Sequence, residues 1–352
     1  MSVEPDIAII GAGPAGSAAA LALARQAPHL TVALLDAGTL TTRKPGEILP
    51  AAAAPMLRTL GVWDQFTAAG FPPDPVIASA WGGPDFIDSH SLFSARGAGW
   101  RLDRRRFDRL LARASGARVL TGWRVLSIAG QAGDWRLTAD DGRTLSAKGL
   151  VLATGRSPRL AAQLGARRMA EDRLVGAVRF CRGGDDPRTL VEAREHGWWY
   201  AAPVEPGVRA IACMTEADQV RRLDLARPAG WRAAAPPAFQ AGRLGPLRVF
   251  PAGGGRLDRI AGPGWAAAGD AAVSFDPLSS QGITQALRGG AFAGYAVADM
   301  LAGEGARAVQ RLQAHGAATW AAYAATHAEV YGRERRWPES LFWRARAALA
   351  AA

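Results

Sequence analysis

A glycine pattern near the N-terminus constrains this chain more than any other feature. Asp6 to Ile10 reads as a short buried strand, Gly11-Ala12-Gly13-Pro14-Ala15-Gly16 follows at once, and an Ala/Leu-rich helix then runs to about Arg25. Thr31 to Leu35 is a second apolar run, closed by Asp36. Strand, glycine turn, helix, strand and acid in that order predict a parallel βαβ unit. The glycines allow a tight turn and a close backbone approach, and the helix N-terminus offers unpaired N–H groups to a diphosphate. Asp36 lies 20 residues beyond Gly16, where a carboxylate meets an adenosine ribose. The pattern predicts a dinucleotide site.

With 352 residues, 49% of them apolar, the chain can bury a sizeable core in one large or two intimate domains. Its first residues carry no basic region, and their apolar run is too short for a signal peptide or a membrane span, so the expected location is the cytoplasm. Cys181 and Cys213 are far apart and form no C-x-x-C, which predicts two reduced, buried side chains. The net charge of +11 is mostly arginine, since Lys44 and Lys148 are the only lysines. Two readings fit it: an arginine-rich surface without special purpose, or attraction to an acidic partner or substrate. No basic block with interleaved aromatics points to nucleic acid, and no ligand pattern points to a metal.

Beyond the βαβ unit, the turn Pro45 to Pro50 leads into an alanine-rich helix that Gly61 ends, and residues 71–99 read as short strands and loops. Leu102 to Ala114 is an amphipathic helix capped by Asp103. Strand-like pieces follow up to Ala153-Thr154-Gly155, and four more, from Val175 to Thr215, alternate as antiparallel strands do. The chain from about Ala306 reads as helical. These readings predict an α/β fold in which a Rossmann-like, glutathione-reductase-type domain (1–70, 100–165 and 262–305) interleaves with an antiparallel-sheet substrate domain (71–99 and 166–261), followed by C-terminal helices (306–352).

The stretch Gly269-Asp270, then Asp276-Pro277-Leu278-Ser279-Ser280-Gln281-Gly282-Ile283, opens a second helix. No second G-x-G-x-x-G occurs, so this helix start serves the same ligand. A dinucleotide whose far end needs a carboxylate for hydroxyl groups and a helix dipole for an electron-rich ring is FAD. Asp270 is the partner for the ribityl hydroxyls, and the Gly282 helix start faces the flavin.

Here the chain resembles the single-component flavin monooxygenases of the p-hydroxybenzoate hydroxylase fold. The resemblance rests on Gly11-x-Gly13-x-x-Gly16, Asp36, Arg104-x-x-Phe107-x-x-x-Leu111, Ala153-Thr154-Gly155 and the Gly269-Asp270 motif with Asp276-Pro277 and Gly282. It implies FAD contacts from Gly11, Gly13, Pro14, Ala15, Gly16, Asp36, Arg43, Arg104, the backbone of Val125, Thr154, Gly155, Gly269, Asp270, Pro277, Gln281, Gly282 and Ile283. It also implies hydroxylation of an electron-rich aromatic ring through a flavin C4a-hydroperoxide, with NAD(P)H or a separate reductase as electron donor and molecular oxygen as co-substrate.

Pro45-Gly46-Glu47-Ile48-Leu49-Pro50, Trp100-x-Leu102-Asp103-Arg104 and Gly197-Trp198-Trp199-Tyr200-Ala201-Ala202-Pro203 resemble the branch of tryptophan halogenases and of flavoproteins that mature peptide-derived quinone cofactors. That likeness implies a Trp or Tyr of a partner polypeptide as acceptor. A small aromatic metabolite, a reductase of prenyl chains and a nonenzymatic flavin-binding partner protein are the alternatives. Glu47 is the candidate base or orienting carboxylate, or else caps the helix that follows. Trp198 and Tyr200 are candidates to line the substrate cavity, or to pack in the core. The branch's halogenases use a lysine after the G-E motif and a glutamate in the turn, whereas here no lysine stands between Lys44 and Lys148 and the turn carries Ser279. With reduced FAD, oxygen, halide and an aromatic acceptor, the protein is expected to form no halogenated product, and mass spectrometry of the acceptor checks this.

Overall fold

The run Ile7–Ile10 is apolar throughout, and it forms an inner strand of a six-stranded sheet with every residue buried. The computed structural model describes residues 4–45, 48–74, 76–90, 97–170, 172–184 and 186–350. In spatial order the strands are Ala261–Gly262, Trp265–Ala267, Gly149–Leu152, Ile7–Ile10, Val32–Asp36 and Arg118–Thr121. All neighbours are parallel except the first pair. From Ile7–Ile10 the chain goes first to one side, to Val32–Asp36, and later to the other, to Gly149–Leu152. The crevice beyond the strand ends at such a reversal is where open α/β sheets bind ligands.

Two helices share this sheet, Pro14–Gln26 and Gly282–Leu301. A Cβ on Gly290 would stand 2.1 Å from the Ala15 carbonyl oxygen, and one on Gly294 would stand 2.7 Å from that of Ala19. The contacts advance together along both helices, so the helices run in the same direction with their backbones in touch. Ala15 opens its helix, whereas Gly290 lies two turns into its own. The second helix therefore overhangs the first by about 10 Å at its N-terminal end.

The strand-rich half is a seven-stranded sheet in the order Arg248–Pro251, Leu174–Arg182, Val208–Glu216, Gly197–Glu205, Thr189–Arg194, Val76–Ala80 and Ile87–His90. It is antiparallel except where Thr189–Arg194 runs parallel to Val76–Ala80. One face carries Trp199, Ile211 and Cys213 and packs on Trp231 and Phe239. The other carries Trp198, Ala212 and Met214 and meets Tyr331, Phe342 and Trp343 of the C-terminal helices Gly305–Gly332 and Leu341–Ala350. Both cysteines are free and buried, and burial pushes both thiols up from their ordinary range.

The result is the mixed α/β organisation expected, with two local differences. The alanine-rich helix ends at Gly61 as expected, where a φ of +73° cannot continue it, but it opens as a 3₁₀ turn, Ala51–Ala53, before Ala54–Thr59, and a second short helix, Trp63–Ala68, follows. Strands Arg168–Ala170 and Gly255–Leu257, inside the range assigned to the substrate side, join Val273–Ser274 in a small sheet beside the Gly269-Asp270 motif. Gly290→Ala is expected to lower stability by about 2 kcal/mol in chemical denaturation, because the backbone clash exceeds the ~1 kcal/mol of helix propensity gained.

Candidate functional site

The first helix begins in the crevice. Gly11 has φ +112°, and a Cβ there would stand 2.1 Å from the Ala153 carbonyl oxygen; one on Gly16 would stand 1.9 Å from that of Gly11. These two glycines let the strand, turn and helix pack together. Gly13 differs, since its Cβ would meet nothing within 4 Å, and it precedes Pro14 with no side-chain cap and no acid in the first helical turn. The helix thus presents unpaired N–H groups to open space. Asp36 accepts the Ala12 N–H at 2.9 Å and the Gly38 N–H at 2.8 Å, which ties the second strand to the glycine turn. A carboxylate retains further lone pairs for a ribose. The Trp123 N–H donates to the Asp36 carbonyl at 2.8 Å, so the strand Val125–Gln131 starts beside this carboxylate. Thr154 and Gly155 follow the strand Gly149–Leu152, and a Cβ on Gly155 would also point into open space.

At the other end, Gly269 has φ +59°, and its Cβ would lie 2.7 Å from that of Ala15, so the Gly-Asp motif abuts the first turn of the first helix. The half-exposed Asp270 carboxylate stands 3.3 Å from Nε of Arg156. Arg156 also donates to the Gly253 and Phe275 carbonyls, and Arg168 donates to the Asp270 carbonyl and to Ser274 Oγ. Neither arginine was singled out from the sequence, although Arg156 directly follows Ala153-Thr154-Gly155. The turn then runs from the buried Asp276 through the exposed Pro277 and Ser280 to Gly282, where a Cβ would again meet nothing within 4 Å. The helix Gly282–Leu301 starts without a side-chain cap or an acid, and Thr284 Oγ1 in its first turn is buried with no protein partner. Ile283 is buried in one cluster with Leu49 and Phe107.

Other expected residues have protein partners. Arg104 binds Asp108 through Nε and Nη2 at 3.0 and 3.1 Å and donates to the Pro45 carbonyl at 2.8 Å. Arg43 pairs with Glu205 and lies over the Phe180 ring, which fastens it to the seven-stranded sheet. Glu47 lies outside the described residues. Trp198 is 1% exposed and its indole N–H donates to Tyr331 Oη at 3.0 Å, a core placement in place of an open cavity wall. Tyr200, on the same face, is half-buried with Phe180, Phe250 and Leu278 against the same cluster. Asp172, Asp276 and His327 bring one ligand atom each within 4.8 Å of one another. The Arg346 guanidinium binds Asp172 at 3.0 Å, so an arginine already serves this cluster. Burial, then the charge of Asp276, holds the Asp172 carboxyl above its ordinary value despite Arg346.

Residues 5–188 match the model of the pyridine nucleotide-disulphide oxidoreductases. A protein of Marinomonas mediterranea named as an FAD-dependent oxidoreductase, LodB, is 31% identical over 98% of each chain. The chain belongs to this family. It is an FAD-dependent oxidoreductase, and a menaquinone reductase of Mycobacterium tuberculosis is a further relative, 30% identical over 83% of this chain and 77% of its own. Among solved structures, the myxobacterial chondrochloren halogenase CndH superposes with a TM-score of 0.84 at 22% identity, covering 97% of this chain and 85% of its own. The peptidyl tryptophan dihydroxylase QhpG does so with 0.76 at 24% identity, covering 98% and 79%. These two likenesses show the fold.

The residues present fit FAD. Gly13, Gly155 and Gly282 each leave open space beside the backbone, the two helix starts have no side-chain cap, and the buried Thr284 hydroxyl in the first turn of the second helix lacks a protein partner. Asp270→Ala is expected to weaken FAD binding about tenfold and to alter the visible flavin spectrum of the folded protein. Spectrophotometric titration checks both, and an unchanged affinity and spectrum would remove Asp270 from the site.

Proposed function

We propose that this oxidoreductase is a monooxygenase that hydroxylates an electron-rich aromatic ring, and that the ring is a Trp or Tyr side chain of a partner polypeptide. One observation carries the reading: Phe180, Tyr200 and Phe250, half-buried on one face of the sheet, and Leu278 of the flavin-side turn all pack against one cluster of buried side chains. An aromatic ring stacked among such side chains is oriented and shielded from water, which is most of what this chemistry asks of the protein. FAD, when bound and reduced, supplies the electrons that activate oxygen. The start of the Gly282–Leu301 helix favours negative charge at the ring it faces. Glu47 is the candidate to take the ring proton, on sequence grounds. NAD(P)H or a separate reductase supplies the electrons.

The polypeptide acceptor is supported by the fold shared with QhpG, itself a peptidyl tryptophan dihydroxylase, and by the net charge of +11, which favours an acidic partner. Among the described residues no helix is long and apolar enough to cross a membrane. A second reading, reduction of a quinone-type substrate, rests on the relationship to menaquinone reductase. The absence of lysine between Lys44 and Lys148 argues against halogenation.

The test incubates the reduced protein and oxygen with the polypeptide encoded beside it. Mass spectrometry is expected to find oxygen added to a Trp or Tyr of that polypeptide. Turnover of a free aromatic metabolite alone would replace the acceptor class, and anaerobic quinone reduction without oxygen incorporation would favour the reductase.

A further inference from the structure

Asp276 is fully buried, and a carboxylate is kept there only by hydrogen bonds that replace water. Its Oδ1 accepts the Leu278 N–H at 2.8 Å, and its Oδ2 accepts the Tyr331 hydroxyl at 2.7 Å. Its own N–H donates to Tyr323 Oη at 3.2 Å. His327 Nε2 lies 3.5 Å from Oδ2 without forming a hydrogen bond. Tyr323, His327 and Tyr331 recur every fourth residue on the helix Gly305–Gly332, so they form one buried stripe along the side that meets this turn.

The direction of the Tyr331 hydrogen bond follows from its other partner. The indole of Trp198 can only donate, and it gives its N–H to Tyr331 Oη at 3.0 Å. The phenol proton is left to point at Asp276. A phenylalanine would fill the same space, so the hydroxyl serves the carboxylate and not the packing. The chain of bonds joins the seven-stranded sheet, the C-terminal helix and the flavin-side turn.

That turn is strained. Ser280 has φ +51°, a left-handed conformation that only three non-glycine residues adopt among those described, and it sits two residues before the helix start at Gly282. Released, the segment would relax and carry Leu278 and the first N–H groups of the helix out of place.

We infer that Tyr331 is a positioning residue for the flavin: through Asp276 it clamps the turn from Pro277 to Gln281 in its strained form and so sets the helix start that faces the cofactor. Tyr323 holds the main chain of the same aspartate from the same helix. The inference rests on FAD as cofactor and not on the hydroxylation reading, because its readouts are cofactor affinity and amide exchange.

The test uses the full chain. Tyr331→Phe is expected to weaken FAD binding about tenfold and to speed hydrogen exchange at Leu278, with the helix Pro14–Gln26 unaffected. Adding Ser280→Gly removes the strain, and the double variant is expected to recover most of the lost affinity. A folded Tyr331→Phe protein with unchanged affinity and unchanged Leu278 exchange would overturn the inference. So would exchange that accelerates equally in all elements with no recovery in the double variant, since that marks general support of the fold. If Tyr331→Phe does not fold, Tyr323→Phe is read at the same amides, with faster exchange at Asp276 and Leu278 expected and no change overturning the proposal.

Discussion

The contact between the helices Pro14–Gln26 and Gly282–Leu301 is the constraint on which the rest depends. At Gly290 and Gly294 the second helix has no side chain to hold the first away, and the carbonyls of Ala15 and Ala19 occupy that space. Two helix starts more than 260 residues apart in sequence are thereby fixed side by side and offset along one direction. An isolated helix start is weakly stabilised when no side chain caps it. Leaving both uncapped makes sense only where something else meets their N–H groups, and a long ligand with a charged middle and an electron-rich end suits the offset.

Arginine carries much of the internal fastening. Arg179 is buried and donates to the carbonyls of Gly245, Leu225 and Ala226 while lying over the Trp231 ring. Burial lowers its pKa. Arg346 is fully buried between Asp172, Glu216 and the Phe342 ring. A guanidinium offers five donors in a rigid plane, so one side chain can bind carbonyls of separate segments where a lysine cannot. To the two readings of the composition, a surface excess and an acidic partner, the structure adds a third: part of the arginine is there for its geometry.

What was legible in the sequence was local. The glycine turn, the position of Asp36 and the Asp103 cap, whose carboxylate accepts the Arg105 N–H at 2.9 Å, are set by neighbouring residues and by backbone preference. The helix end at Gly61 belongs with these, but the 3₁₀ opening at Ala51–Ala53 was not legible, because an alanine-rich run favours an α-helix from its start. Nor was the parallel pairing of Thr189–Arg194 with Val76–Ala80, since alternation gives the face of a strand but not its partner. Asp276 was read as part of a turn motif. Its tyrosine partners lie 47 and 55 residues later, on a helix whose hydrophobic pattern gives no sign that one hydroxyl meets its main-chain N–H and another its carboxylate.

Three consecutive residues show how closely framework and site are interleaved. Trp199 faces outward from the sheet and packs on Trp231, with ring centroids 5.0 Å apart. Trp198 faces the other way and gives its N–H to Tyr331, whose hydroxyl goes on to Asp276. Tyr200, again on that inner side, stays half-buried against the same cluster that Leu278 packs on. One strand thus builds the outer core, anchors the turn and furnishes an aromatic surface beside it. A fold shared with halogenases and with a dihydroxylase says little about which chemistry follows, because all need the same helix starts and the same sheet. The difference has to lie in side chains that enter the space between the turn and the sheet. In this chain the half-buried side chains on that face of the sheet include Phe180, Tyr200 and Phe250, which is why its reading as a hydroxylase rests on them more than on the fold.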